Sequence, residues 1–540
     1  ATTASLFTIE GLAGSRLALG TGPGGEATAP PLSVFGELVL RADDIEHRGV
    51  LWQPFGAITL DAARSLLLGE QSLTRVSGEG QTLLYGRTAN LSVWQLPSQG
   101  RLGTDQPEAL PLAKAVTLRT PQLQADARAR IDVSGGGDVQ AWEFFPGVGG
   151  STDLFEQDGL FAVLPSHGRS AAVALNGGLV GLGAVSRELV VTMDGSGLPR
   201  GAYTLLPARY ALLGGSLPQG AFLVRRAPAD GSPILGAPQL REDGSVLVAA
   251  SARDAGSVHL GAPDERWEVL SLDTFSRRSE LRLSSVGTLL EGYADAQDRP
   301  APPRPQDGGA LRVQVGDAGA SRLAASLSAQ ARGGTAGTLD IAGSRLALLD
   351  DPFRAEAGET GIEAASLANS GAASVLIGGL RGELRAGPDG LPTQAVDARG
   401  TQSLRVDLGL STLALEELVL ASSGSLVVQS GTLRSTGQPT QQARTLALAG
   451  DGALALISAN AVQARREAVA GAAGTLSVGA GAALQGSTVL LDGSASLALA
   501  LDRADALQAA ALTLSAPSLL LGAADAHEDG ATVLQGPLLD

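Results

Sequence analysis

Four histidines, His47, His167, His259 and His527, and one lysine, Lys114, are the side chains of this chain best suited to proton transfer or nucleophilic attack. None stands in a pattern that such chemistry uses. His527 opens HEDGA but has no second histidine four residues on, so the zinc-binding H-E-x-x-H pattern is missing. Lys114 follows Ala113, which rules out the Gly-Lys-Ser/Thr of a phosphate-binding loop. There is no G-x-S-x-G elbow and no cysteine, hence no thiolate nucleophile, thiolate metal site or disulfide. Isolated in sequence, the histidines read as solvated loop residues. The glycines of GGGD (135–138) and GVGGST (147–152) read as turns, because no helix opens after them.

Carboxylates cluster at Asp43, Asp44 and Glu46, at Asp350 and Asp351, and at Asp525, Glu528 and Asp529. Several oxygens together can hold Ca²⁺, but the glycine-rich Asp nonapeptide of calcium-binding β-rolls is absent. These clusters read as solvated loops. Acid and arginine also meet at Asp502, Arg503 and Asp505, as single loop decorations. A polysaccharide lyase or hydrolase would need such groups from neighbouring strands to converge in one cleft. No catalytic, cofactor-binding or metal-binding residue is assigned, and no cofactor is expected.

The elements that would position any site are short strands at even spacing. In Thr475–Leu521, Leu476 and Val478 recur as Leu497 and Leu499 and again as Leu519 and Leu521, a step of 21 to 22 residues. A second set runs from Val489 and Leu491 to Leu512 and Leu514, and then Val533. Apolar residues alternate with Ser, Ala or Thr, the period of a strand, and a fixed step of about 20 residues marks stacked repeats. The fold expected is all-β: a parallel β-helix, or solenoid, with aliphatic side chains stacked along its shaft. Leu499→Asp is then expected to be severely destabilising.

Composition agrees. The chain of 540 residues is 44% apolar but only 3% aromatic, with 72 glycines for corners. A net charge of −16 argues against nucleic-acid binding. No run of 18 apolar residues could span a membrane, and the start, ATTASLFTIEG, lacks the basic head and apolar block of a signal peptide, so the chain reads as an internal piece of a longer one.

Four stretches differ in character. Residues 1–134 are β-helix coils with long loops, notably 21–31 and 96–111. Residues 135–230 hold Trp142, Phe144, Phe145, Phe155, Phe161, Tyr203, Tyr210 and Phe222 and read as an aromatic-rich β excursion beside the shaft. Residues 231–310 form a bridging segment, with a helical or irregular candidate at 276–298 and a Pro-rich loop at 299–309. Residues 311–540, where Phe353 is the only aromatic, read as regular coils.

Several segments resemble the large secreted exoproteins of the filamentous haemagglutinin family. They are FGELVLRADDI (35–45), GVLWQPFGAITLD (49–61), LLLGEQSLTRVSG (66–78), YGRT (85–88), IDVSGGGDVQAWEFFPGVGGSTD (131–153), FAVLP (161–165), GAYTLLPARYALL (201–213) and IEAASLANSGAASVLIGGLR (362–381). The resemblance implies a right-handed parallel β-helix fibre, secreted or held at the cell surface of a Gram-negative bacterium after two-partner secretion through a partner outer-membrane barrel. The family's Asn-Pro-containing secretion motifs are absent, which places this piece downstream of the secretion domain.

The function expected is that of a non-catalytic fibre segment for adhesion or biofilm cohesion, with a surface glycan or receptor as partner. Two alternatives stand beside it: a β-helix polysaccharide lyase or hydrolase, and a stalk presenting a C-terminal toxin as in contact-dependent inhibition. About 400 shaft residues at ~22 per coil would give roughly 18 coils and a length on the order of 90 Å.

Overall fold

The computed structural model describes residues 6–20, 30–96, 100–102, 114–147, 151, 153–168, 187–217, 219–228, 236–254, 265–278, 280–298, 301–316, 320–388, 390–438, 443–467, 474–501, 503, 505–517, 519–521 and 532–534. The chain is all-β. Most of its strands pair in parallel with strands one repeat away in sequence, and residues of like kind stand above one another.

Leu6–Glu10, Glu37–His47, Ala57–Leu68, Ala115–Thr120, Ala310–Val315, Thr338–Gly343, Ser374–Ile377 and Glu417–Ser422 form the first ladder. Its inward positions make one column of Leu38, Ile58, Val116, Leu311, Leu339, Val375 and Leu418 and another of Leu40, Leu60, Leu118, Val313, Ile341, Ile377 and Leu420. A second ladder carries the repeat seen in the sequence. Leu346, Leu404, Leu426, Leu476 and Leu497 are successive partners, and so are Leu348, Val406, Val428, Val478 and Leu499. A shorter third ladder joins Val50–Trp52, Leu73–Arg75, Arg130–Asp132 and Ser326–Ser328. The three ladders bury their facing aliphatics in one continuous core from Leu40 to Leu497, where each methylene removed from water contributes about 0.8 kcal/mol.

Along the second ladder, ten successive parallel pairings link Arg16–Leu19 to Ser496–Leu499. At ~4.8 Å per step this described stack is on the order of 50 Å long, not 90 Å. The residues counted towards further coils lie elsewhere. The second strand set also ends early: Val489 and Leu491 do pair with Leu512 and Leu514, but Val533 pairs with Leu520 in a separate two-stranded sheet.

The largest group of residues outside the ladders is an excursion. The first ladder passes directly from Ala115–Thr120 to Ala310–Val315. Between them the chain leaves after Val133 and returns at Gly309, whose N–H donates to the Val133 carbonyl at 2.6 Å. The stretches 135–230 and 231–310, distinct in composition, share one antiparallel sheet. Arg187–Val191 pairs with Val246–Asp254, and Phe222–Arg226 with Glu265–Ser271. The helical candidate is helix over Val286–Gln297, about half its length, but Glu280–Ser285 is a strand that runs antiparallel to Asp138–Phe145. Pairing with an open edge overrides local helix propensity there.

A repeated Phe-Gly corner of the first ladder enters a second core, shared by strands Thr82–Ala89 and Val93–Leu96 and by the excursion. Phe35 and Phe55, 20 residues apart, both adopt left-handed backbone (φ 56° and 59°) just before a ladder strand. The Phe35 ring lies 5.2 Å from Tyr85 and 6.4 Å from Trp94 between centroids, and the Phe55 ring lies 6.2 Å from that of Phe35. Gly56 must lack a side chain, because a Cβ there would lie 2.0 Å from the Gly36 carbonyl oxygen.

A second group forms a four-stranded flanking sheet of Leu380–Ala386, Pro392–Asp397, Arg444–Ala449 and Val462–Glu467. It covers the outer face of the first ladder through Leu376, Val396, Val419, Leu446 and Leu456. Ladder strands Glu417–Ser422 and Ala453–Ser458 are therefore buried on both faces. Among the described residues no helix is long and apolar enough to cross a membrane.

Candidate functional site

The sequence-level candidates are not brought together. Asp44 accepts from Ser65 at 2.7 Å and pairs with Arg64; the Ser65 hydroxyl, followed by Arg64 and Arg16, holds its carboxyl below the usual range. Glu46 is held low by Arg48 and Arg16. Asp350 binds Arg354 at 2.7 Å, and Asp351 caps a short turn by accepting from the Phe353 N–H at 2.9 Å. Arginine therefore takes up the charge that a cation would need. Among the described residues no group of three His, Asp or Glu is placed to hold a metal ion. Asp502, Asp525, Glu528, Asp529, His259 and His527 lie outside the described residues, as do most of the 21–31 and 96–111 loops and of GVGGST.

Two histidines read as solvated are buried instead. His47 occupies an inward position of its strand, two residues after buried Ile45, and is fully enclosed. Its Nε2–H points at the Leu73 carbonyl (3.3 Å), and desolvation lowers its pKa to about 4. His167 is 5% exposed, with Nε2 3.0 Å from the Pro30 carbonyl and Nδ1 3.0 Å from the Ser166 hydroxyl. The period-2 pattern through Ile45 was a signal for His47; nothing local marked His167.

Lys114, which no motif singled out, is 6% exposed. Its ammonium donates to the Pro305 carbonyl at 2.8 Å and towards that of Ser134 at 3.4 Å. Phe35, Phe55, Leu290, Pro303 and Pro305 complete the wall of a cavity of about 170 Å³ beside it. Burial pulls its pKa down to about 8, against the opposing pull of Asp307 and Asp132. Neither carboxylate is free: Asp307 is held by Arg304 and Thr335 and Asp132 by Arg75 and Ser134. With both carboxylates taken up and the Lys114 ammonium held by backbone carbonyls, the cavity reads as the seat of a pin that fastens the Pro-rich return segment.

The larger concavity is a groove of about 890 Å³ on the outer surface of the first ladder. It crosses the ends of four stacked strands, where each turns towards the second ladder, and so runs along the stacking direction. Its floor exists because the corner residues are small: Ala62 and Ala63, then Gly316, Ala342 and Gly343. Polar side chains enter from an outward column in which Arg41, Asp61, Arg119, Gln314 and Ala342 are successive ladder partners. Arg41 lies 3.7 Å from Asp61. Arg119 is exposed, and among the described residues no carboxylate lies within ion-pair distance of it.

The flanking sheet supplies the other wall, with Leu380, Asp397, Arg399 and Thr401. Arg399 grips Asp397 with two donors, at 2.9 and 2.6 Å, and this holds the Asp397 carboxyl below the usual range. The Thr401 hydroxyl is fully buried and has no hydrogen-bond partner. Acids and arginines from neighbouring strands thus converge in one cleft, which sequence reasoning missed because Asp61 and Asp397 are far apart along the chain. Among the described residues, the groove presents one guanidinium with no carboxylate at ion-pair distance, acceptors on both sides and no aromatic face. Comparison with protein-family models, with curated proteins and with solved structures returns no match.

Proposed function

We propose that the chain is a non-catalytic segment of a surface fibre: a right-handed parallel β-helix carrying a β-rich side excursion, from a secreted exoprotein of a Gram-negative bacterium used in adhesion or biofilm cohesion. The observation that carries this reading is the in-register column Leu346–Leu404–Leu426–Leu476–Leu497. Five strands that repeat one apolar position are the expected product of a rigid rod built by stacking. The resemblance to filamentous haemagglutinin exoproteins supports the surface location and export through an outer-membrane partner barrel. A rod displays what is attached to its side, and the groove is its most developed surface. Small-angle scattering tests the shape: an elongated particle with a narrow cross-section is expected, and a compact one would sink the reading.

The groove also favours a second reading, a polysaccharide-cleaving enzyme, since acids and arginines meet there. Against it stands Asp397, which Arg399 keeps ionised, whereas glycoside hydrolysis needs a protonated acid beside its partner carboxylate. Incubation with acidic and neutral glycans separates the two: retention without new reducing or unsaturated ends fits the fibre, and cleavage that survives repurification fits the enzyme.

A further inference from the structure

We infer that the groove over Asp61, Arg119 and Gln314 binds a linear polysaccharide in which a uronate alternates with an uncharged sugar. The inference rests on the groove being a binding surface of the proposed fibre. Three observations lead to it.

The first is direction. The groove crosses successive strands at the corners of the first ladder, so any occupant that fills it lies along the stacking axis. Chemical groups then repeat at the ladder spacing of about 4.8 Å. An extended pyranose chain advances by a comparable step per sugar, so one sugar meets one strand.

The second is the lining. Among the described residues no aromatic ring faces the groove, so the stacking that captures the apolar face of a neutral sugar is not on offer there. Recognition must come from charge and hydrogen bonds. Arg119 provides a planar fork matched to a carboxylate. Asp397 faces the occupant from the other wall, where it can accept from ring hydroxyls.

The third is the order of charge along the axis. Asp61, Arg119 and Gln314 occupy consecutive strands as anion, cation and neutral amide. A carboxylate on Arg119 is favourable, but a second one a single sugar away falls on Asp61 or on the uncharged Gln314. A homopolymer of uronates meets that repulsion, and an alternating polymer does not. The protein's net charge of −16 adds a general bias against dense polyanions.

The test is calorimetric titration of the full chain with three probes: hyaluronan oligosaccharide, polygalacturonate oligosaccharide and a neutral cello-oligosaccharide. Hyaluronan is expected to bind tightest. Arg119→Gln should weaken it by roughly tenfold to a hundredfold, the worth of one charge-assisted contact, while Arg119→Lys recovers only part. Asp61→Asn should narrow the gap between hyaluronan and polygalacturonate. Arg119 is exposed, so circular dichroism and the melting temperature should match the parent. Equal or tighter binding of polygalacturonate or the cello-oligosaccharide would overturn the inference. So would hyaluronan binding indifferent to Arg119→Gln, or no binding of any probe. Those failures leave the fibre reading to scattering, which tests it separately.

Discussion

His47 and Lys114 are each held in the folded chain in a place that disfavours their charged form, and both therefore make stability depend on pH. The His47 pKa falls from 6.5 to about 4 on folding. Its contribution is complete above pH 6.5 and is lost as pH drops towards 4, because the unfolded chain takes up the proton first. The loss amounts to about 3 kcal/mol. Urea unfolding at pH 7 and pH 4.5 checks this, and His47→Leu should flatten that part of the acid dependence. Lys114 acts at the other end. Its pKa is about 8 folded against 10.5 unfolded, so stability rises between those values as the buried amine loses its proton before the unfolded one does, again by about 3 kcal/mol. Lys114→Met should remove the rise. At this scale legibility was uneven. The alternation through Ile45 could have placed His47 inside, whereas Lys114 is buried only because Pro303 to Asp307 return from far along the chain to close over it.

Besides their backbone hydrogen bonds, strands are held together here by stacked aliphatics and by buried charge. Leu426 stands between Leu404 and Leu476 and is fully buried. Leu426→Ala should cost about 2–5 kcal/mol, measurable as a fall in the denaturation midpoint. Leu499 is only half-buried, at the last step of its column, so Leu499→Asp should cost less than an aspartate at Leu426. Charge joins the flanking sheet to the ladder. Glu417, fully buried on the ladder, accepts from Arg444 of the flanking sheet, from Ser374 at 2.5 Å and from Ser458 at 3.1 Å; Arg381 links Ser374 to Asp340. Glu417→Leu takes the buried carboxylate away from Arg444 and should cost about 3–5 kcal/mol, while the double change Glu417→Leu/Arg444→Leu should restore much of it. The ladder strands were legible because period 2 and the 21-residue step repeat together. The flanking strands were not, since Arg444–Ala449 and Ala453–Ser458 read alike in sequence but lie in different sheets.

At the level of the whole molecule, the excursion returns at Gly309 and the stack resumes with Ala310–Val315. The excursion's internal division into a module and a bridge was not preserved, because antiparallel partners such as Val224 and Val269 come one from each stretch. The groove was illegible for a related reason: its floor comes from the ladder and its wall from the flanking sheet, and no periodicity in either announces their meeting. Limited proteolysis offers a check on this organisation. A fold whose apolar columns run unbroken from Leu38 to Leu418 should resist cleavage in its ladder strands, with first cuts falling outside them; early cuts inside Ala310–Val315 would contradict the continuous stack.

The hydrogen bond from Gly309 to Val133 brings the two attachment points of the excursion together, and this decides how the chain answers to tension. A pull along the stacking axis passes from Ala115–Thr120 to Ala310–Val315 through their own backbone hydrogen bonds and bypasses the residues between. The excursion is thus mechanically in parallel with the stacked strands. It can carry its aromatic core and its own sheets without adding a weak joint in series, and it would unravel only after the strands beneath it had separated.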